Sequence, residues 1–186
     1  MNKIYSLLLV FITSPFLFGC SIGKKNEKKF KIGFSQCTGS DNWRKNMLQA
    51  MQRELSFYPG AELIYRDAND NSELQVQQVR ELLNENIDIL LLSPNEAKPL
   101  TPVVEEVFTQ GIPVVIIDRK TASNLYTSFV GADNYEIGKM AGNYVGNILN
   151  GKGNVIQIIG LPGSTPAIER QKGFTEGLCR LFWRSG

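Results

Sequence analysis

The stretch IDILLLSPNEAKPLTPVVEEVFTQGIPVVIIDR, residues 87–119, decides the fold. It holds two short apolar runs, Ile87–Leu92 and Ile112–Ile117, with a helical segment between them. Each run is apolar almost throughout, which is the pattern of a strand buried on both faces. Thr101-Pro102 reads as an N-cap followed by proline at the first helical position, and Gly111 as the stop. Between them Val103, Val104, Val107 and Phe108 recur at helical spacing. Two buried strands joined through a helix form a parallel pair with a right-handed crossover.

Working outward, the same alternation continues in both directions. Toward the N-terminus, Phe30–Ser35 reads as a strand and Asn42–Phe57 as a helix, with Trp43, Met47, Ala50, Met51 and Leu55 on one side. Pro59-Gly60 makes a turn into a strand at Ala61–Tyr65. Ser72 with Gln75 forms a capping box that opens a helix carrying Val76, Val79, Leu82 and Leu83. Toward the C-terminus, Tyr126–Gly131 is a strand, and Asp133 with Glu136 is a second capping box. The helix that follows has an apolar stripe of Ile137, Met140, Ala141, Tyr144, Val145 and Ile148. Its Gly138 and Gly142, one turn apart, let it approach a neighbour closely. Asn154–Ile159 reads as a sixth strand, and a loop at Gly160–Ser164 leads into a helix starting near Thr165-Pro166. The fold class is α/β, a doubly wound parallel sheet covered by helices on both faces.

The chain ends are of a different character. Residues 1–20 combine Lys3, an apolar run from Ile4 to Phe18 and the ending Leu17-Phe18-Gly19-Cys20. That is a secretory signal peptide, and its Leu-x-Gly-Cys ending resembles a bacterial lipobox in which Cys20 takes the lipid. Ordinary cleavage nearby is the other reading. Residues 21–29 are polar and lysine-rich, a tether to the folded body. Residues 179–186 break the pattern, with Leu181, Phe182 and Trp183 clustered and nothing following to cover them. They read as an aberrant tail left by a truncation or frameshift. Cys37 and Cys179 have no spacing that pairs them and read as two unrelated thiols.

Composition removes several function classes. The 186 residues carry 20 Lys+Arg against 18 Asp+Glu, which leaves no basic footprint for nucleic acid. No histidine is present, so the chain has no Ser–His–Asp triad, no Cys–His pair and no His-ligated metal site. Gly160-Leu-Pro-Gly-Ser-Thr165 precedes a helix but lacks the lysine of a phosphate loop, and Pro162 removes a donor. No cofactor, no metal and no catalytic residue is expected.

In open α/β sheets, ligands sit beyond the carboxyl ends of the strands. There the sequence places Gln36, Asn42 and Trp43 after the first strand and Ser93 after the third. Asp118 and Arg119 follow the fourth, and Arg170 lies on the helix after the sixth. These are amides, a hydroxyl, one aromatic plate and charged forks, with no nucleophile beside a base. The set suits a neutral polyol, whose C–H face stacks on a ring and whose hydroxyls both donate and accept. Taken singly, Trp43 fits a rim aromatic, Asp118 beside Arg119 a local ion pair, and Arg170 a solvent-facing side chain. Their shared position at strand ends raises the set above its parts.

From about Phe30 to Leu178 the chain resembles the type I periplasmic sugar-binding proteins, the ribose-binding group. The resemblance rests on Ile87–Asn95, Gly111–Arg119, Gly131-Ala-Asp-Asn-Tyr-Glu-Ile-Gly138 and Ala167-Ile-Glu-Arg-Gln-Lys-Gly-Phe174. Ser93-Pro-Asn-Glu-Ala97 and Phe57-Tyr-Pro-Gly60 are most similar to the periplasmic input domains of Bacteroidetes hybrid two-component sensors. The resemblance implies a nearly complete N-terminal lobe at 30–131 and the start of a C-terminal lobe at 132–178. It implies a stacking role for Trp43 and sugar contacts for Asp118, Arg119 and Arg170, with Gln36 and Asn42 as weaker matches. Ser93 stands where ribose binders often carry asparagine. It also implies extracytoplasmic capture of a monosaccharide by a non-enzyme, as the input domain of a sensor. A sugar ABC transporter receptor is the alternative, and an α/β enzyme a more remote one. The location implied is periplasmic, with a membrane tie through the Cys20 lipid or a C-terminal transmembrane segment outside this chain.

Overall fold

The computed structural model describes residues 29–182, with side chains described as far as Cys179. The signal peptide, Cys20, most of the tether and the end of the tail lie outside the described residues. The elements alternate in chain order: β1 (Phe30–Gln36), α1 (Asn42–Leu55), β2 (Ala61–Asp67), α2 (Ser72–Asn84), β3 (Ile89–Ser93), α3 (Ala97–Thr109) and β4 (Val114–Ile117). β5 (Ser128–Val130), α4 (Asn134–Ile148) and α5 (Thr165–Phe182) follow.

The strands form one five-stranded sheet in the order β2-β1-β3-β4-β5, parallel at every pairing. This is the α/β parallel sheet the alternation implied. After β2 the chain crosses over β1 to place β3 on its other side, so the winding direction reverses between β1 and β3. In sheets of this kind such a reversal marks the edge where ligands bind. The register brings Gln36 opposite both Asp67 and Ser93, and Ile117 opposite Val130, so the residues after each strand emerge along one edge.

The core lies under the middle strands. Leu90 and Leu92 of β3, Val114 and Ile116 of β4, Val79 and Leu82 of α2, and Leu100, Val104 and Val107 of α3 have no exposed surface. At roughly 1.5–3 kcal/mol for each large apolar side chain buried, this cluster dominates the favourable side of folding. The Pro59-Gly60 turn forms, with the Ala61 amide donating to the Tyr58 carbonyl (2.9 Å). Gly111 ends α3 at φ +81°, where a side chain would be strained.

Several expectations are corrected. α3 begins at Ala97, four residues before the expected cap, and Pro102 lies inside it. Thr101 is not a cap: its hydroxyl donates back to the Ala97 carbonyl (2.7 Å) and accepts from the Ala122 amide (2.9 Å). The cap of α2 is Asn71, whose side chain accepts from the Leu74 amide, because Ser72 and Gln75 are engaged elsewhere. The sixth strand does not form. Residues 154–159 pair with no strand among those described, and Ile156 and Ile158 are almost fully exposed. A strand without a neighbour has no ladder to satisfy its backbone.

α4 differs from its reading as well. Asp133 caps it as expected, accepting from the Glu136 amide (3.0 Å). The apolar stripe, however, faces outward, with Met140, Tyr144 and Ile148 each more than half exposed. The buried face is Asn134, Gly138, Gly142 and Gly146. Gly138 and Gly142 lie on the α5 backbone at Arg170 and Phe174, and Gly173 and Gly177 of α5 lie on the α4 backbone at Tyr135 and Lys139. A Cβ at any of these four would strike a carbonyl oxygen, so the missing side chains set the helix separation. Close approach through Gly138 and Gly142 is thus as the sequence implied, and α5 is the neighbour.

Candidate functional site

Two adjoining cavities open along the carboxyl edge of the sheet, sharing Asp118 and Arg170 in their walls. One, of about 320 Å³, is lined by Arg44, Asp118, Arg119, Gln157, Ser164 and Arg170 among others. The other, of about 410 Å³, is lined by Trp43, Met47, Ile117, Asp118, Val130 and Arg170 with the Gly131-Ala132 backbone. Four of the residues singled out from sequence therefore line these two cavities: Asp118 and Arg170 line both, Arg119 the first and Trp43 the second.

Each is held by local structure. Trp43 is the second residue of α1, 55% exposed and in the wall of the second cavity, with the Arg44 guanidinium 5.5 Å over its ring. Asp118 follows β4 at φ +65°, left-handed backbone that a non-glycine residue adopts at a cost of about 1–3 kcal/mol. Its amide donates to the Val130 carbonyl (2.8 Å), so the strained turn is anchored by the sheet itself. Arg119 donates from Nη1 to the backbone oxygen (2.9 Å) and Oδ1 (3.3 Å) of Asn95. Arg170 donates from Nε to Asn134 Oδ1 (2.8 Å), which leaves its terminal nitrogens for another acceptor.

Gln36, Ser93 and Asn42 stand apart. Gln36 and Ser93 have no exposed surface and line neither cavity. Gln36 Oε1 accepts from the Tyr65 hydroxyl (3.1 Å), and its Nε2 faces the Arg44 carbonyl (3.4 Å). Burial, with Asp67 and Cys37 nearby, pushes the Tyr65 hydroxyl up to about 12, so it stays a donor to Gln36. Ser93 Oγ lies 3.9 Å from the Cys37 sulfur. Both are floor beneath the site. Asn42 is exposed at the start of α1 and also lines neither cavity. Cys37 is buried and Cys179 exposed, both free, as two unrelated thiols.

Arg44 is the residue that sequence reasoning missed. Its side chain is only 11% exposed and reaches four partners: Asp41 (2.5 Å), Asp118 (3.4 Å), the Cys37 sulfur (3.2 Å from Nε) and the Trp43 ring (5.5 Å from the guanidinium carbon to the centroid). Burial works against its charge, but the Cys37 sulfur and Asp41 outweigh that and raise its pKa. Asp41 is also the cap of α1, and the Arg44 backbone N–H holds its carboxyl below the ordinary range, with the guanidinium adding to the effect. The signal was present in Asp41, three residues before Arg44 at a helix start. Asp118 thus pairs with Arg44 across the cavity, not with its neighbour Arg119.

Among the described residues no group of His, Cys, Asp and Glu side chains is placed to hold a metal ion. No described helix is long and apolar enough to cross a membrane.

Comparison with known proteins agrees with this geometry. Residues 32–182 match the family model described as a periplasmic binding protein domain. The ribose import binding protein RbsB of Bacillus subtilis is 30% identical over 80% of this chain and 48% of its own length. The galactofuranose-binding protein YtfQ of Escherichia coli is 32% identical over 79% of this chain and 47% of its own. Among solved structures, the fructose-binding periplasmic domain of the hybrid two-component system BT1754 superposes with a TM-score of 0.78 at 45% identity. That match covers 82% of this chain and 50% of the other. The chain spans about half the length of the relatives it matches. A parallel sheet in the order β2-β1-β3-β4-β5 and a family match across nearly all of the described residues lead to one conclusion: the chain belongs to the periplasmic binding protein family.

Proposed function

We propose that this chain supplies the sugar-binding face of an extracytoplasmic receptor and binds without turning its ligand over. The observation that carries the reading is that Trp43, Asp118, Arg119 and Arg170 line two adjoining cavities, with Asp118 and Arg170 in the walls of both. An aromatic face, a carboxylate and two guanidiniums with unused donors are the groups a monosaccharide needs. Relatives named for ribose, galactofuranose and fructose support the ligand class.

In this reading residues 30–131 are one lobe and residues 132–178 begin the second. Arg170 on α5 and Asp118 and Arg119 after β4 stand on opposite sides of the cleft, and a bound sugar ties them together. A sensor input role is favoured by the 45% identity to the two-component domain, above the 30% and 32% to the binding proteins RbsB and YtfQ. Residues 1–20 export the chain, and Cys20 carries the lipid that keeps it at the membrane. In-frame sequence encoding a kinase downstream of Gly186 supports the sensor, and a neighbouring permease gene the transporter.

Equilibrium dialysis of the 186-residue chain against D-ribose, D-fructose, D-galactose and D-xylose tests the ligand class. Saturable binding of at least one sugar is expected. Retention of none of them removes the reading.

A further inference from the structure

The Arg119 guanidinium is held by a relay that never reaches the cavity. Gln75 of α2 has no exposed surface, and its amide spans the end of β3. Its Nε2 donates to the Ser93 carbonyl (3.0 Å), and its Oε1 accepts from the Asn95 amide (2.8 Å). A side-chain amide thus takes the place of a neighbouring strand where the ladder has stopped. Asn95, only 3% exposed, donates from Nδ2 to the Asp70 carbonyl (3.0 Å) and Ser72 Oγ (3.1 Å). With both ends fixed, it turns its backbone oxygen and its Oδ1 toward Arg119 Nη1. Neither Gln75 nor Asn95 lines either cavity.

We infer that Gln75 and Asn95 are positioning residues that fix the guanidinium of Arg119 at the ligand cavity, and so set affinity without touching the ligand. A long arginine side chain has much rotamer freedom to lose on binding, and two acceptors on one nitrogen remove it beforehand. Every donor and acceptor of the Gln75 amide in use is directed at the backbone of residues 93–95, which is the arrangement a positioning role requires. The affinity consequence rests on the sugar-binding reading; the restraint on Arg119 does not.

The test separates the two. In the ligand-free chain, the heteronuclear NOE of the Arg119 Nε–Hε group reports its order. Asn95→Ala keeps the backbone bonds of residue 95 and removes the side-chain acceptor. Arg119 is expected to be as ordered as the backbone in the native chain and less ordered in Asn95→Ala, where only the backbone oxygen of residue 95 remains to hold it. An Arg119 equally ordered in Asn95→Ala overturns the inference. With D-fructose as probe, Asn95→Ala is expected to weaken binding roughly ten-fold, the scale of one hydrogen bond to a charged group. In an Arg119→Ala background the same change is expected to add nothing. A full further loss there also overturns it. Absence of fructose binding by the native chain counts against the sugar reading, while the NOE still decides the inference.

Discussion

The sheet region, residues 30–131, and the helical region, residues 132–182, handle apolar side chains in opposite ways. In the first, Leu90, Leu92, Val104 and Ile116 are closed off from solvent by helices on the sheet. In the second, Met140, Tyr144, Ile148, Ile156 and Ile158 face outward, and the contact is made by glycine backbones. Both regions show the apolar periodicity of buried elements. What differs is the partner: burial depends on a surface to pack against, and periodicity alone does not provide one. The site draws from both, with Trp43, Asp118 and Arg119 on the first region and Arg170 on the second.

The largest effect separating the two regions is expected from truncation of apolar side chains. Leu92→Ala should cost about 2–5 kcal/mol of unfolding free energy, the range for an unrelieved core cavity. Met140→Ala, at a residue 69% exposed, should change it by less than about 0.5 kcal/mol. Urea unfolding of the two variants measures both. Equal costs would dissolve the contrast.

Next is the glycine contact. Gly142→Val drives a branched side chain into the Phe174 carbonyl and the Leu178 amide, and should cost roughly 1–3 kcal/mol. Hydrogen exchange should quicken in α4 and α5 and stay unchanged in β3 and β4. Loss of protection throughout would mean the regions unfold as one unit.

The fold was legible where local pattern and tertiary context agree. β3 and β4 announced themselves because a run apolar on both faces fits little else of that length. Residues 154–159 carry the same signal, but a strand is a property of a pair, and no partner is present among the described residues. Likewise the Ser72–Gln75 capping box had the right letters, yet both side chains satisfy buried groups around Asn95 and Glu96. Strand-end placement picked out Trp43, Asp118, Arg119 and Arg170, which line the two cavities. It did not separate Gln36 and Ser93, which lie one layer down, from residues that reach the cavity. Arg44 was hidden because its importance lies in contacts with Cys37 and Asp118 that only the folded chain makes.

Backbone strain at Asp118 gives a smaller effect. Asp118→Gly and Asp118→Ala both remove the carboxylate, but only glycine is at ease at φ +65°. The glycine variant should be the more stable by about 1 kcal/mol in thermal unfolding. The reverse order would show that the left-handed turn is not maintained.

Acid sensitivity of α1 is the smallest effect. Asp41 has its pKa lowered by the Arg44 backbone N–H and guanidinium, so it stabilises the native chain fully above pH 3.8. That contribution is lost as the pH falls through its lower native value. Asp41→Asn keeps a capping oxygen but does not titrate, so its urea midpoint should fall less across that range. Identical acid profiles would place the titrating group elsewhere.

Isothermal titration of D-fructose into the native chain and into Asp118→Ala tests sugar capture at this edge of the sheet. One saturable site is expected in the native chain and binding weakened at least about ten-fold in the variant, because a charged hydrogen-bond partner of the sugar is gone. Binding of equal strength in both would contradict it, since the ligand would then sit somewhere other than the two cavities that Asp118 lines with Trp43, Arg119 and Arg170.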